Sequence, residues 1–337
     1  MNIPSNLMLD NREEYLSLIG APAQQAAAFL NETLLPETCS RWRRHTLAYI
    51  CIFGSNYVSV VDLSDARRLL DIPVGLGPLD IDINRVGLLG YVTNFSDHTL
   101  SMIDLRINRT VKTVPVGSYP AGVRLSRCGR YVYVVHYGEP SVWVLDAYSL
   151  DKVTEVPLPS TGFQIDITAN GALAFVSLRS AAQIAVIDLS VNLVVKVIAA
   201  GAGTEDVRVS PMNRLVFVSN EDGNTITPVN IALAEPAEPA LVTPDRPVGL
   251  AFSFGGSRMY CANRGDQSVS VFDVFTHREI NKIIVGQGPY GAETANGGRL
   301  LVVTNTFEDT ASIIDTRTDS VTSNVTVGFA PAFLAIL

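Results

Sequence analysis

Tyr91-Val92-Thr93-Asn94 is followed ten residues later by Asp104, and both the tetrapeptide and the aspartate recur along the chain in one phase. Asp62, Asp104, Asp146 and Asp188 stand 42 residues apart; Asn230 takes the next mark, Asp273 follows 43 later and Asp315 another 42. The tetrapeptide is echoed by Phe217-Val218-Ser219-Asn220, Tyr260-Cys261-Ala262-Asn263 and Val302-Val303-Thr304-Asn305. A period of this length predicts a radial repeat, one supersecondary unit per period.

Working outward from Tyr91, each unit reads as four short strands. In the second unit they are Leu88 to Thr93, Thr99 to Ile103, Val111 to Val116 and Ala121 to Ser126, with Asn94 to His98 as a turn. The marker aspartate opens the following hairpin, where its carboxylate can accept backbone N–H groups. A Val-Gly-x-x-Pro segment then carries the chain onward, at 116–120, 285–289 and 327–331. Glycine admits the unusual backbone of such a crossover and proline stiffens the start of the next strand.

These residues resemble the YVTN family of β-propeller repeats, and the likeness covers 46–337. The resemblance implies an all-β, seven-bladed β-propeller of four-stranded antiparallel blades, related to cytochrome d1-like and lactonase-like propellers. Phase predicts how the ring closes. The chain enters at a second strand near Ala48 and ends on a first strand, 332–337, so blade 1 is expected to be built from both termini. Such closure leaves no long exposed sheet edge. Gly162 and Thr204 depart from the pattern by replacing the crossover proline. An extra residue falls in Ala-Glu-Pro-Ala-Glu-Pro at 234–239, expected to protrude at the rim as a variation in loop length.

Residues 1–45 lie outside the repeat. Asn11 with Glu14 suggests a capping box ahead of Tyr15, Leu16, Leu18 and Ile19, and Pro22 a second helix through Ala26 to Leu30. A short helical extension is expected there, too small to bury a core of its own.

Of the 337 residues 47% are apolar and 17% charged, against about 25% charged in typical soluble domains. Net charge is −8, and Arg41-Trp42-Arg43-Arg44 is too short for the basic stripe that phosphate binding needs, which argues against nucleic acid. No run approaches the roughly 18 apolar residues of a membrane span. The first ten residues lack a basic region and a long apolar core, so the chain as given reads as cytoplasmic. Cys39, Cys51, Cys128 and Cys261 show no metal-like spacing and read as reduced thiols.

In a propeller the innermost strand of each blade lines an axial channel. Aligning the seven sets Ile81, Val123, Ile165, Val207, Leu250, Ala292 and Leu334 at one register, to pack between blades. One residue further, on the opposite face, stand Asp82, Arg124, Asp166, Arg208, Ala251, Glu293 and Ala335. Two residues before those come Asp80, Gly122, Gln164, Asp206, Gly249, Gly291 and Phe333. The family pattern has small residues here, as in Pro247-Val248-Gly249-Leu250-Ala251, yet five blades carry a charge at one register.

Two readings stay open. One is a ring of inter-blade salt bridges around a wet channel. The other is a pocket whose arginines hold an anion while Asp82, Asp166 and Glu293 act as acid or base. The ligand-contacting set would be Asp80, Arg124, Gln164, Asp206 and Arg208, joined at one mouth by Arg179, Glu205 and Tyr290. Loops at that mouth also supply His98, His136, Tyr137 and Arg264. His98 and His136 are candidates for a general base or for a metal or haem ligand, set against the ordinary role of a solvated loop histidine. No c-type haem attachment motif, GxSxG elbow, HExxH or phosphate-binding glycine loop occurs, so no metal or cofactor is assigned. Arg264-Gly265-Asp266 and the acidic run at 220–224 fall in turn positions of the repeat and read as turns. The expected function is binding of a small polar or anionic ligand, or of a protein partner, at one mouth. The alternative is a soluble enzyme of the cyclase, lyase or lactonase kind using acid/base chemistry in the channel.

Overall fold

The computed structural model describes residues 46–237 and 239–337; the expected helical extension over 1–45 lies outside them. The described residues form seven antiparallel sheets arranged as a seven-bladed β-propeller. Blade 2 is typical, running from the axis outward as Pro78–Asn84, Leu89–Asn94, Thr99–Asp104 and Arg109–Pro115. Three of the strands anticipated from the sequence fall within two residues of these bounds, and the fourth, 121–126, is Pro120–Leu125, the innermost strand of blade 3. The seven innermost strands pack side by side in a closed ring.

Blade 1 closes as the phase requires. Its order from the axis is Pro331–Ile336, Leu47–Ile52, Tyr57–Asp62 and Arg67–Pro73. Ala48 pairs with Ile336, Tyr49 with Ala335 and Ile50 with Leu334.

Burial explains the apolar runs. Every residue of Leu89–Asn94 is buried, because a second strand has neighbouring blades on both faces. Arg109–Pro115, at the rim, keeps only partial cover and reads accordingly as polar. In blade 5 the outer strand is broken into Glu235–Pro236 and Leu241–Val242, both paired with Thr225–Asn230. The extra residue of that repeat sits between the two pieces. Gly162 also has a steric reason, since a Cβ there would lie 2.4 Å from the Val135 side chain.

The repeat's signature residues hold turns and blades together. All seven markers cap a hairpin through their side-chain oxygen, from Ser64 N–H to Asp62 at 2.9 Å through Leu233 N–H to Asn230 at 3.1 Å and Arg317 N–H to Asp315 at 2.8 Å. The tetrapeptide's asparagine pins the next turn: Asn94 Nδ2 donates to Thr99 at 2.9 Å and to Ser101 at 2.8 Å. Its hydroxyl residue reaches the next blade, Thr93 donating to the Ala121 carbonyl at 2.6 Å, Ser177 to Glu205 at 2.7 Å and Thr304 to Ala332 at 2.8 Å. An innermost strand has one edge with no strand beside it, and these hydroxyls satisfy carbonyls that would otherwise be buried alone.

Candidate functional site

The same edge leaves backbone N–H groups to satisfy, and the inner-strand carboxylates take them. Asp80 accepts from Ile81 at 2.9 Å and, on blade 3, from Val123 at 3.0 Å. Asp82 accepts from Ile83 at 2.9 Å and Leu125 at 2.7 Å. Asp166 takes Ile167 and Val209, both at 2.8 Å, and Asp206 takes Val207 and Leu250, both at 2.9 Å. Each carboxylate thus uses one oxygen on its own strand and the other on the following blade. Where the register carries glycine the strands come closer instead: a Cβ on Gly249 would sit 2.2 Å from the Tyr290 carbonyl oxygen.

The arginines of this layer are held differently. Arg208 is paired on two sides, Nε with Asp206 at 3.2 Å and Nη1 with Glu293 at 3.1 Å. Arg124 donates through Nε to the Ile165 carbonyl at 3.1 Å and stands 3.6 Å from Asp166. Its two terminal nitrogens hydrogen-bond to no protein atom among the described residues. Burial works against the charge on Arg124 and so does Arg208; Asp82, Asp166 and Asp80 outweigh both and raise its pKa. Two guanidinium groups therefore feel each other across the axis. Burial pushes the Asp80 carboxyl up to about 6, against the pull of Arg124, the Val123 N–H and Arg208.

Between the two arginine-bearing blades stands Gln164. It is 1% exposed, and neither its amide nitrogen nor its oxygen has a hydrogen-bond partner. Gly122 makes room for it, since a Cβ there would lie 2.8 Å from Gln164 Oε1. A buried amide with both ends unpaired costs about 1–3 kcal/mol, an unusual feature in a native interior.

The residues expected at the site fall into more than one group. Arg179, Glu205 and Tyr290 lie at the crossover end with two further residues, Glu221 and Arg264. Arg179 pairs with Glu205 and with Glu221 at 2.5 Å; Arg264 meets Glu221 at 3.1 Å; the Tyr290 hydroxyl donates to Glu205 at 2.8 Å. Two arginines face two glutamates, with Asp222 3.9 Å from Arg179 at the exposed edge, so the buried part of the cluster is balanced in charge. Glu221 stands in a segment that reads as a turn, and in the sequence only its place in the repeat, 42 residues after Arg179 and 43 before Arg264, marks it. At the same end Leu79, Ala121, Phe163, Val248, Tyr290 and Ala332 are all buried in one apolar cluster, which closes the axis there. At the opposite end a cavity of about 510 Å³ is lined by Phe252, Thr294 and Ile336, each one residue beyond the charged register, with Arg85, Asn296 and Leu337 around it. Arg124, Gln164 and Arg208 do not themselves line this cavity, which lies on the first-to-second-strand loop side.

The two histidines join neither group. His98 accepts the Tyr119 N–H on Nδ1 at 2.8 Å and packs edge-on against that ring. His136 is fully buried beside Ser141 and Trp143, and burial lowers its pKa to about 4. Neither stands on an innermost strand. No group of three or more metal-ligating side chains occurs among the described residues. Cys51, Cys128 and Cys261 are free thiols, the first and last buried. No helix among the described residues is long and apolar enough to cross a membrane.

Comparison with known proteins bears on the fold. The family model described as the Cytochrome D1 heme domain matches residues 84–169, from blade 2 into blade 4. No curated protein matches the sequence. Among solved structures, hydrazine synthase of Kuenenia stuttgartiensis superposes with a TM-score of 0.73 at 20% identity, over 79% of this chain and 91% of that one. A functionally unknown protein from Desulfotomaculum acetoxidans gives 0.76 at 16% identity, over 86% and 98%. A candidate 6-phosphogluconolactonase from Bacteroides fragilis gives 0.75 at 15% identity, over 90% and 99%. At such identities these likenesses speak to architecture alone. The chain is a seven-bladed β-propeller, similar in fold to these proteins and, over part of its length, in sequence to the cytochrome D1 family.

Proposed function

We propose that the chain binds a small anion in the polar layer of its channel, reached from the first-to-second-strand loops. The observation that carries this reading is the juxtaposition on three successive blades of Arg124, Gln164 and Arg208. One arginine has free terminal donors, the amide has no partner, and the two guanidinium groups disfavour each other. An anion bridging them would satisfy all three at once. The aspartates act in this reading as braces for the strands, with Asp80 setting the local charge. A second reading, acid/base turnover of the bound metabolite, is favoured by one feature, the Asp80 carboxyl that burial pushes up to about 6 beside two arginines.

Native mass spectrometry of the purified protein would reveal a co-purified anion, and calorimetry with sulfate supplies a defined probe. Arg124→Ala is expected to weaken sulfate binding at least about tenfold, as one charge-assisted hydrogen-bonding group is removed. Its melting temperature should fall less than that of Arg208→Ala, since the fold gives up one hydrogen bond to a carbonyl and a 3.6 Å contact with Asp166 rather than two close ion pairs. Unchanged affinity would rule the pocket out.

The pH dependence follows from Asp80. Below about pH 6 its carboxyl is neutral and the arginines are less compensated; above it, the carboxylate competes with the ligand. Sulfate keeps its charge across this range, so its affinity should rise about three- to tenfold from pH 7.5 to pH 5. In Asp80→Asn the slope should disappear. A slope retained in that variant assigns the titration elsewhere.

A further inference from the structure

The crossover face of the propeller is divided in two. The first residue of the turn between second and third strands is Phe53, Phe95 and Tyr137 in blades 1–3, and Arg179, Glu221 and Arg264 in blades 4–6. Crossovers and turns flanking the first group add Phe329, Tyr119 and Phe307. Phe329 is 64% exposed and Phe307 61%, and what sets them apart from other exposed apolar residues is their place among neighbouring rings.

The rings form one arc. Phe95 lies 6.0 Å from Phe53, 5.1 Å from Tyr119 and 6.2 Å from Tyr137, centroid to centroid. Phe329 rests on Gly54, where a Cβ would come within 2.2 Å of its ring. Turn chemistry does not call for aromatics here, because blades 5 and 6 fold the same four-residue turn with Glu221 and Arg264 at the equivalent position.

Charge on this half is of one sign. The turns and crossovers of blades 7, 1, 2 and 3 on this face carry Asp97, Glu139, Glu308 and Asp309 and no lysine or arginine. At its edge the protein already shows how the surface takes a cation: the guanidinium of Arg264 sits over the rings of Tyr290 and Phe307, 5.4 and 5.3 Å from their centroids. Aromatic faces rimmed by carboxylates suit guanidinium, which stacks and pairs at once.

We propose that this aromatic half docks an arginine-bearing peptide segment of a partner protein. The site is separate from the channel, since the apolar ring of Leu79, Phe163 and their neighbours lies between the two. The two readings therefore stand or fall independently.

The test is fluorescence anisotropy of a labelled octapeptide of alternating arginine and serine, titrated with the full chain. Binding is expected, weaker for the lysine counterpart. It should fall at least about fivefold in Phe53→Ser with Phe329→Ser, which removes one or two cation–π partners. Phe275→Ser, equally exposed on a third-to-fourth-strand turn of the opposite face, should change nothing. Glu308→Gln with Glu139→Gln gives a second, sterically mild variant and should weaken binding as well. Equal affinity for the arginine and lysine peptides, or affinity untouched by the double phenylalanine change, overturns the proposal. So does a concentration-dependent dimer in sedimentation that Phe329→Ser abolishes, which would make a second copy the occupant.

Discussion

A chain ending at residue 330 is expected to be insoluble or, where soluble, to lack a cooperative thermal transition. Residues 331–337 supply the innermost strand of blade 1, and Ala332, Phe333, Leu334, Ala335 and Ile336 are all buried. Burial of Phe333, Leu334 and Ile336 contributes about 1.5–3 kcal/mol each, comparable in sum to the whole stability of an ordinary domain. Removal also bares the edge of Leu47–Ile52 and leaves Pro289–Ala295 and Pro78–Asn84 without the strand that packs between them. An exposed apolar edge of that kind is a template for aggregation. Soluble yield, size-exclusion profile and far-UV circular dichroism decide it. A monomeric product with a parental melting temperature would mean that closure is not needed.

Arg208→Ala is the second change with a large expected effect. Its guanidinium bridges Asp206 on its own strand and Glu293 two blades away. Burial works against the arginine's charge, and Asp206, Glu293, Asp166 and Asp80 together raise its pKa. Without it, a fully buried Asp206 and a half-buried Glu293 lose their partner. Breaking a buried pair from one side costs about 3–5 kcal/mol, here a melting temperature lower by roughly 6–15 °C. Differential scanning calorimetry of Arg208→Ala beside Arg124→Ala separates brace from ligand contact. A fall of less than about 2 °C for Arg208→Ala would show that the bridge to Glu293 holds little.

How much of the architecture and the site is legible in the sequence depends on whether a residue acts within its repeat or across repeats. Hairpin caps such as Asp104, the turn pin Asn94 and the closure through 332–337 are legible because phase alone fixes them. The charged register of Asp82, Arg124, Asp166 and Arg208 is visible as a break in the pattern. Its resolution into braces and donors is not, because the Leu125 and Val209 N–H groups that Asp82 and Asp166 accept belong to the next blade. Gln164 looks like one polar residue among several, and only its lack of partners gives it weight. The packing at the mouth expected from the loops is hidden for a similar reason: Phe163, Tyr290 and Leu79 are far apart in sequence, and nothing local says that they meet in one apolar cluster. His98 and His136 stand at nearly matching positions in neighbouring repeats, four residues out of phase, and one serves a turn and the other a buried seam.

The pairing of the two ends carries a further consequence. Leu47 and Leu337 exchange backbone hydrogen bonds at 3.3 and 2.9 Å, so the start and finish of the ring are adjacent strands of one sheet. Topologically, the place where the chain is cut is then a matter of covalent bookkeeping. A permuted gene joining 337 to 47 through a short linker and opening at another crossover would encode the same circle with a different seam. Thr46 and Leu337 also both border the 510 Å³ cavity. A module fused after Leu337 would hang beside that opening, held at high local concentration over whatever enters it.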